Sequence, residues 1–389
     1  MESVEEQVLV PDEKILSAIF PDIDLKPSSC NVITNTFDSC TFSIQLETAP
    51  LPDYPKVLNL IVRLEKSGKS LAALATFQRL AKSQLNDLIP SVLHFGTTTT
   101  LAEQVEYFVT PYITDTTTLE DVWDTLDETN QLELVKTVIL AVEKLQKLDL
   151  TESLKETTYI SVDDSPSQAT KIAIGDLQHG FSPNIKQFLS GLLKSDEETP
   201  NWKLLETDNG VEIQSTYEDI GQIEFSHAEL NELQQHVVLC HNDLEPRNFL
   251  VREVSGSYEL IAIIDWEMVG LFPFAYEYGY KDTVLGSSNL SYSWYESFKS
   301  QSSHLLPDGE FHTKLVKALQ IIDNSERKSS GKNVGRLVQH KWLEREQVEE
   351  SSDPRRGWVR KDGANPPRGF SKDDQSKLEY EALEELGYV

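Results

Sequence analysis

Cysteine is nearly absent, with three residues, Cys30, Cys40 and Cys240, scattered through 389 positions. An odd, dispersed set excludes a disulfide framework and offers no paired zinc spacing, which fits a reducing setting. Long apolar runs are missing too, none approaching the roughly 20 residues that a membrane span requires. The start, M-E-S-V-E-E-Q, has neither the basic nor the apolar region of a secretory signal, so a cytoplasmic protein is expected. Basic residues are scarce, 35 against 64 acidic ones, for a formal net charge of −29. A polyphosphate backbone would be repelled rather than neutralised, and nucleic acid is not an expected partner. Internal repeats and histidine clusters at metal-ligand spacing are also absent, which disfavours a His/Asp metal hydrolase. The hydrophobic share, 39%, is modest for a chain long enough for two lobes, and the C-terminal end is expected to lie outside the core.

What the chain does carry is H-N-D-L-E-P-R-N, His241 to Asn248, with the spacing H-x-D-x-x-x-x-N. Phosphoryl transfer needs a carboxylate to orient the attacking hydroxyl and take its proton, and oxygen ligands to hold Mg²⁺ against the phosphates. Asp243 suits the first task and Asn248 the second. A three-residue pattern recurs by chance, so its context matters. Val237 to Leu239 is an apolar β-branched run into the loop, Phe249 to Val251 is another leaving it, and Ser255 to Ser257 around Gly256 reads as a turn. The next strand, Leu260 to Ile264, ends on Asp265, a second carboxylate one hairpin from the loop and a natural metal ligand.

The segment V-V-L-C-H-N-D-L-E-P-R-N-F-L-V, followed by I-A-I-I-D-W-E-M-V-G and F-P-F-A-Y-E-Y, resembles the aminoglycoside phosphotransferase and choline kinase superfamily, its fungal members included. The resemblance extends more weakly over residues 25 to 322. It implies an α+β, two-lobed protein-kinase-like fold, with an N-terminal antiparallel sheet lobe and a mostly helical C-terminal lobe. It also implies phosphorylation of a small-molecule hydroxyl by ATP or GTP with Mg²⁺. Carried over by position, Asp243 is the catalytic base, His241 the brace of its loop, and Asn248 and Asp265 the metal ligands. The substrate does not follow from the resemblance.

In the same frame, the strand Val57 to Leu64 presents Arg63 to the phosphates, and arginine can fork two of their oxygens. The hairpin Asn31–Ile33 and Thr41–Leu46 would cover the nucleotide; its turn has no glycine, leaving Asn35, Thr36 and Ser39 as donors, with a plain surface hairpin as the alternative. The helix Leu71 to Ser83 carries Ala73 where the family has the glutamate that positions the basic residue, and Glu65 is a candidate substitute. This gap motivates a second reading, a pseudokinase-like protein that binds nucleotide or a partner with weak transfer or none. A protein kinase is disfavoured, since no A-P-E-like anchor follows Asp265.

The expected layout is an N-terminal extension over 1–24, the nucleotide-covering lobe over 25–112, the catalytic lobe over 113–322 and a charged, partly disordered tail over 323–389. Gln131 to Leu148 is the clearest helix, with Leu134, Val135, Val138, Ile139, Val142, Leu145 and Leu148 on one face. Residues 196 to 232 hold eleven acids and one lysine, Lys203. Two readings stand for them: a funnel for a cationic substrate, at a position where family members carry a helical insertion walling the pocket, or a solvated face. The aromatics after Asp265, from Trp266 to Tyr295, could likewise bind substrate or pack against the loop.

Overall fold

The computed structural model describes residues 9–48, 57–66, 71–99, 104–155, 157, 160–162, 170–193, 200–329, 333–367 and 369–389. Contacts group the chain into two units, Met1–Leu119 with Asn248–Val269, and Glu120–Arg247 with Gly270–Val389. The chain crosses between them inside the His241–Asn248 motif, so the grouping is not a simple succession of lobes. No described helix is long and apolar enough to cross a membrane.

In the first unit, helix α1 (Glu13–Ile19) starts at Asp12, whose carboxylate accepts from Ile15 N at 2.7 Å. Strands β1 (Cys30–Asn35), β2 (Ser39–Gln45) and β3 (Asn59–Lys66), helix α2 (Leu71–Leu85), and strands β4 (His94–Thr99) and β5 (Gln104–Pro111) follow. The strands form an antiparallel sheet in the order β1-β2-β3-β5-β4. Alternation along β3 decides its facing: Leu60, Val62 and Leu64 join a core with Phe42, Ile44, Val105, Val109 and the α1 residues Ile15, Leu16 and Ile19. Arg63 and Glu65 therefore share the opposite face. The same unit holds the hairpin Phe249–Val254 and Ser257–Ile263, which turns through Ser255 and Gly256 at φ 53° and 85°.

The second unit is helix-rich. Helix Glu128–Gln146 buries Leu134, Val135, Val138, Ile139, Val142 and Leu145, the stripe that its periodicity predicts. Strand Val237–Cys240 pairs antiparallel with Gly270–Pro273, and that second strand runs straight into helix Phe274–Val284. Most of the aromatic run packs, while Tyr292 also lines a pocket. Trp266, Phe272, Phe274, Tyr276, Tyr278, Trp294 and Tyr295 are all buried, because rings this large contribute more to a core than polar residues could.

Three expectations give way. Residues 202–226 form three antiparallel strands, Trp202–Thr207, Gly210–Ser215 and Gln222–Ser226, rather than a helical insertion; 196–199 lie outside the described residues. Their acids behave as a solvated face, with Glu206, Asp219 and Glu229 paired to Lys186, Lys328 and Lys314. The linker expected after Ile322 is helical instead: helix Glu310–Ser329 continues through it, with Ser325 fully buried and bonded to Ser215 Oγ at 2.8 Å. Of that linker, residues 330–332 lie outside the described set.

The tail, finally, is folded. Helix Val334–Arg345, a ribbon of Val348–Glu350 with Trp358–Arg360, and helix Lys372–Glu385 build a small core of Trp342, Leu343 and Val348 against Leu285, Tyr292 and Tyr295. Composition misleads here because a few large rings do the packing while charged residues cover them. The last helix stops before Gly387, at φ 73°, as its sequence suggests.

Candidate active site

His241 to Asn248 leave strand Val237–Cys240, pass through a tight turn at Pro246–Asn248 and enter strand Phe249–Val254. His241 is fully buried, and its Nδ1 accepts the Asp243 amide at 3.2 Å. The brace expected of His241 is thus a ring nitrogen fixing the backbone of Asp243. The Asp243 carboxylate, 10% exposed, is held by both oxygens: Arg247 Nη2 donates to Oδ1 at 2.7 Å and Oδ2 at 2.9 Å. The same guanidinium donates from Nη1 to the Ser288 carbonyl. Arg247 stays protonated above its ordinary range: burial opposes the charge, but Asp243 and Glu245 outweigh it.

Helix Phe274–Val284 anchors the loop from beneath. Glu277, 3% exposed, accepts the amides of His241 at 3.1 Å and Asn242 at 2.7 Å on one oxygen. One turn on, Lys281 donates to the Leu244 carbonyl at 2.6 Å and to Glu245 at 2.8 Å. Burial pushes the Glu277 carboxyl up to about 7, with the Asn242 amide, Lys281 and the His241 amide pulling the other way. Glu277, Lys281 and Arg247 are functional supports that sequence reasoning missed. Signals existed: a lone acid inside F-P-F-A-Y-E-Y has nowhere to go but a buried partner, and Arg247 stands four residues from Asp243.

In the other unit, Asn248 and Asp265 lie together at the open end of one hairpin. Phe249 pairs with Ile263, and Ile264 N donates to the Asn248 carbonyl at 2.9 Å. Asp265 takes a left-handed conformation, φ 61° and ψ 61°, tolerable for an aspartate. The next residue, Trp266, is buried, with its indole N–H on the Ile263 carbonyl at 3.0 Å. Amide and carboxylate oxygens are the hard donors that Mg²⁺ prefers, and one or two of them, with phosphates and waters, meet its usual needs. Among the described residues no three His, Cys, Asp or Glu side chains form a closed cage. The Asn248 amide and Asp265 carboxylate fit Mg²⁺ as a pair of oxygen donors.

Arg63 lies 3.7 Å from Asp265 through Nη1. Its Nε donates to Glu65 at 2.7 Å, and Nη2 pairs with Glu267. Glu65 is 3% exposed, so a buried carboxylate holds Arg63 from two residues along the same strand. Burial opposes the Arg63 charge, and Glu267 and Glu65 more than restore it. Glu65→Ala is expected to weaken Mg·nucleotide binding about tenfold by releasing the guanidinium; calorimetry giving an unchanged Kd would show Glu267 to suffice alone. In the hairpin of β1 and β2, Asn35 and Ser39 flank the turn, and Ser39 N donates to Thr36 Oγ1 at 3.1 Å. That amide is engaged within the turn.

A pocket of about 1090 Å³ opens in the second unit beside Pro246 of the loop. Glu120, Asp124, Glu128 and Glu296 face it, together with Trp123 and Tyr292. The acids at 201–232 do not line it.

One unit holds the braced Asp243 carboxylate, and the other holds the Asn248 amide, the Asp265 carboxylate across a hairpin and Arg63 beside it. Residues 53–281, more than half of the chain, match the phosphotransferase enzyme family, APH, and the chain belongs to that family. It is accordingly a phosphotransferase with a small-molecule hydroxyl acceptor. No curated protein matches it significantly. Among solved structures, a thermostable mutant of aminoglycoside phosphotransferase APH(4)-Ia, in a ternary complex with AMP-PNP and hygromycin B, is 14% identical over 85% of this chain and 96% of that one, at a TM-score of 0.47. The GDP complex of wild-type aminoglycoside 2′-phosphotransferase-IIIa is 12% identical over 95% and 96%, at 0.43. The AMP-bound complex of spectinomycin phosphotransferase APH(9)-Ia is 12% identical over 85% and 92%, at 0.43.

Proposed function

We propose that this chain transfers the γ-phosphoryl group of ATP or GTP to a hydroxyl of a small cationic metabolite or antibiotic-like molecule. The observation that carries this reading is the Asp243 carboxylate, buried, braced by His241 through its own amide and held at both oxygens by Arg247. In the reaction the acceptor hydroxyl gives its proton to Asp243 as its oxygen bonds to the terminal phosphorus. The bond from that phosphorus to its bridging oxygen breaks, and a nucleoside diphosphate leaves. Arg63 grips phosphate oxygens by exchanging Glu267 for them while Glu65 keeps its Nε. Asn248 and Asp265 would hold Mg²⁺, which when bound neutralises phosphate charge and orients the terminal group. In this reading residues 25–112 cover the nucleotide, and 113–322 supply the loop and the acceptor side. The six acids lining the pocket beside Pro246, Glu120, Asp121, Asp124, Glu128, Glu296 and Glu346, outnumber Arg360 and Lys372 there and favour an acceptor that bears positive charge.

The test is a thermal-shift titration with ATP and GTP, each with and without Mg²⁺, since it needs no acceptor. A Mg²⁺-dependent rise in Tm that shrinks in Asp265→Ala is the expected result, and the larger rise names the donor. Indifference to both nucleotides at millimolar concentration would sink the proposal.

A further inference from the structure

We infer that the turn at 353–357, together with helix Tyr292–Ser302, forms a second binding site, for a small molecule that carries a phosphate group. It goes beyond the phosphotransfer reading and does not depend on it. The stretch S-D-P-R-R-G-W-V-R-K, residues 352–361, holds four basic residues and one acid, in a chain with 64 acids against 35 basic residues. Arg360 is taken by Glu346, which it meets at 3.0 Å. Arg355 and Arg356 have no carboxylate partner among the described residues; the Nε of Arg355 donates to Thr313 Oγ1 at 3.3 Å.

Both arginines line a cavity of about 590 Å³, a volume that suits a small molecule. It shares only Tyr292 and Glu296 with the pocket beside Pro246. Lys299, Ser300 and His304 line the same cavity, and its acids are Glu296 and Asp353. Asp353 spends Oδ1 on the Arg355 amide at 3.0 Å, and Lys299 is taken by Asp282 at 2.9 Å. Two neighbouring guanidiniums remain, with Ser300 and His304 beside them. A carboxylate fills one guanidinium fork, whereas a phosphate dianion has three acceptor oxygens and can serve two.

The turn that carries the arginines is fixed before any ligand arrives. Ser351 N donates to the Gly357 carbonyl at 2.8 Å, and Arg356 N to the Asp353 carbonyl at 3.0 Å. The Tyr278 hydroxyl donates to the Arg355 carbonyl, and Trp358 N to the Tyr295 hydroxyl at 2.7 Å. Gly357, at φ 58°, packs so closely that an added Cβ would collide with the Tyr295 hydroxyl and the Asp282 carboxylate. A backbone held in this way gives up little entropy when its side chains close on a ligand. Two arginines without acid partners on a restrained turn make a site rather than a patch of surface charge.

The probe is pyrophosphate, with acetate as the carboxylate control, titrated calorimetrically into the full chain without Mg²⁺ at low ionic strength. Pyrophosphate is expected to bind about tenfold more tightly than acetate, or better. Arg356→Gln removes a side chain that bonds no described group. It is expected to weaken pyrophosphate about tenfold and to leave the ligand-free Tm unchanged. Arg355→Lys, which keeps the charge but cannot fork, is expected to weaken it about threefold. Arg63→Gln separates this site from the one proposed for nucleotide, and pyrophosphate binding is expected to survive it. No binding at millimolar pyrophosphate, binding indifferent to Arg356→Gln, or binding abolished by Arg63→Gln would each overturn the inference. The Mg·nucleotide thermal shift and its response to Asp265→Ala judge the phosphotransfer reading separately, and neither Arg355 nor Arg356 enters that test.

Discussion

Asp243→Asn is expected to lower transfer by roughly a thousandfold or more, while Mg·nucleotide affinity stays within about twofold. The amide keeps the shape of the carboxylate and one acceptor oxygen for Arg247 Nη2, so the loop should stay in place. What it loses is a group that can take the hydroxyl proton. His241 accepts the backbone amide of residue 243, and that bond is untouched by the change. The measurement is phosphoryl transfer to an acceptor found by screening, or slow nucleotide hydrolysis with water in its place, beside a calorimetric Kd. Wild-type turnover in the variant would remove Asp243 from the role of base. A joint collapse of turnover and nucleotide affinity would mean instead that Asp243 serves binding.

The second large effect concerns Glu277, whose pKa of about 7 stands above the ordinary 4.5 because the residue is buried. Between those values the folded chain keeps a proton that the unfolded chain releases. The stability contributed by this group therefore falls as pH rises from about 4.5 to about 7 and is level above. The slope is roughly 1.4 kcal/mol per pH unit, or about 3 kcal/mol across the window. Glu277→Gln keeps an oxygen for the His241 and Asn242 amides but cannot titrate. Urea unfolding at pH 5, 6, 7 and 8 is expected to show the difference in stability, wild type minus variant, declining to about pH 7 and then flat. A constant difference over that range would mean that Glu277 ionises normally. Glu277→Leu, by contrast, strands two buried amides and is expected to cost roughly 2–5 kcal/mol at neutral pH, with turnover falling as the loop loosens.

The loop His241–Asn248, proposed as catalytic, was readable as a loop between strands because its pattern is local. His241, Asp243 and Asn248 sit within eight residues, and the flanking apolar runs declare themselves as strands. Asp265 was readable for the same reason, one tight turn away. The long helix of the second unit was legible because its stripe repeats at the helical period. Glu65 was only half legible. It could be named as a substitute for the acid missing at Ala73, but only the facing of β3 shows that it bonds Arg63 at 2.7 Å.

Other parts depended on contacts that no local pattern encodes. Glu277 and Lys281 lie more than thirty positions from the loop they hold, and in composition they look like surface charges. The tail reads as polar and mobile because its few rings are widely spaced, and their partners, Leu285, Tyr292 and Tyr295, belong to another stretch of chain. The acids at 201–232 drew attention by their density, yet lysines at 186, 314 and 328 pair with three of them. The acids that line the pocket are spread between 120 and 346 and make no long run.

The sequence by itself placed the residues to which the proposed chemistry is assigned, Asp243, Asn248, Asp265 and Arg63, each on an element whose local pattern is strong. The tertiary structure alone decided how those groups are held and what they can be offered, through Glu65 beside Arg63, Arg247 on Asp243, helix Phe274–Val284 under the loop and the C-terminal segment along the pocket. The physical reason is burial. A charged side chain removed from water must find its partner wherever the fold brings one, and its distance along the chain sets no limit on that choice.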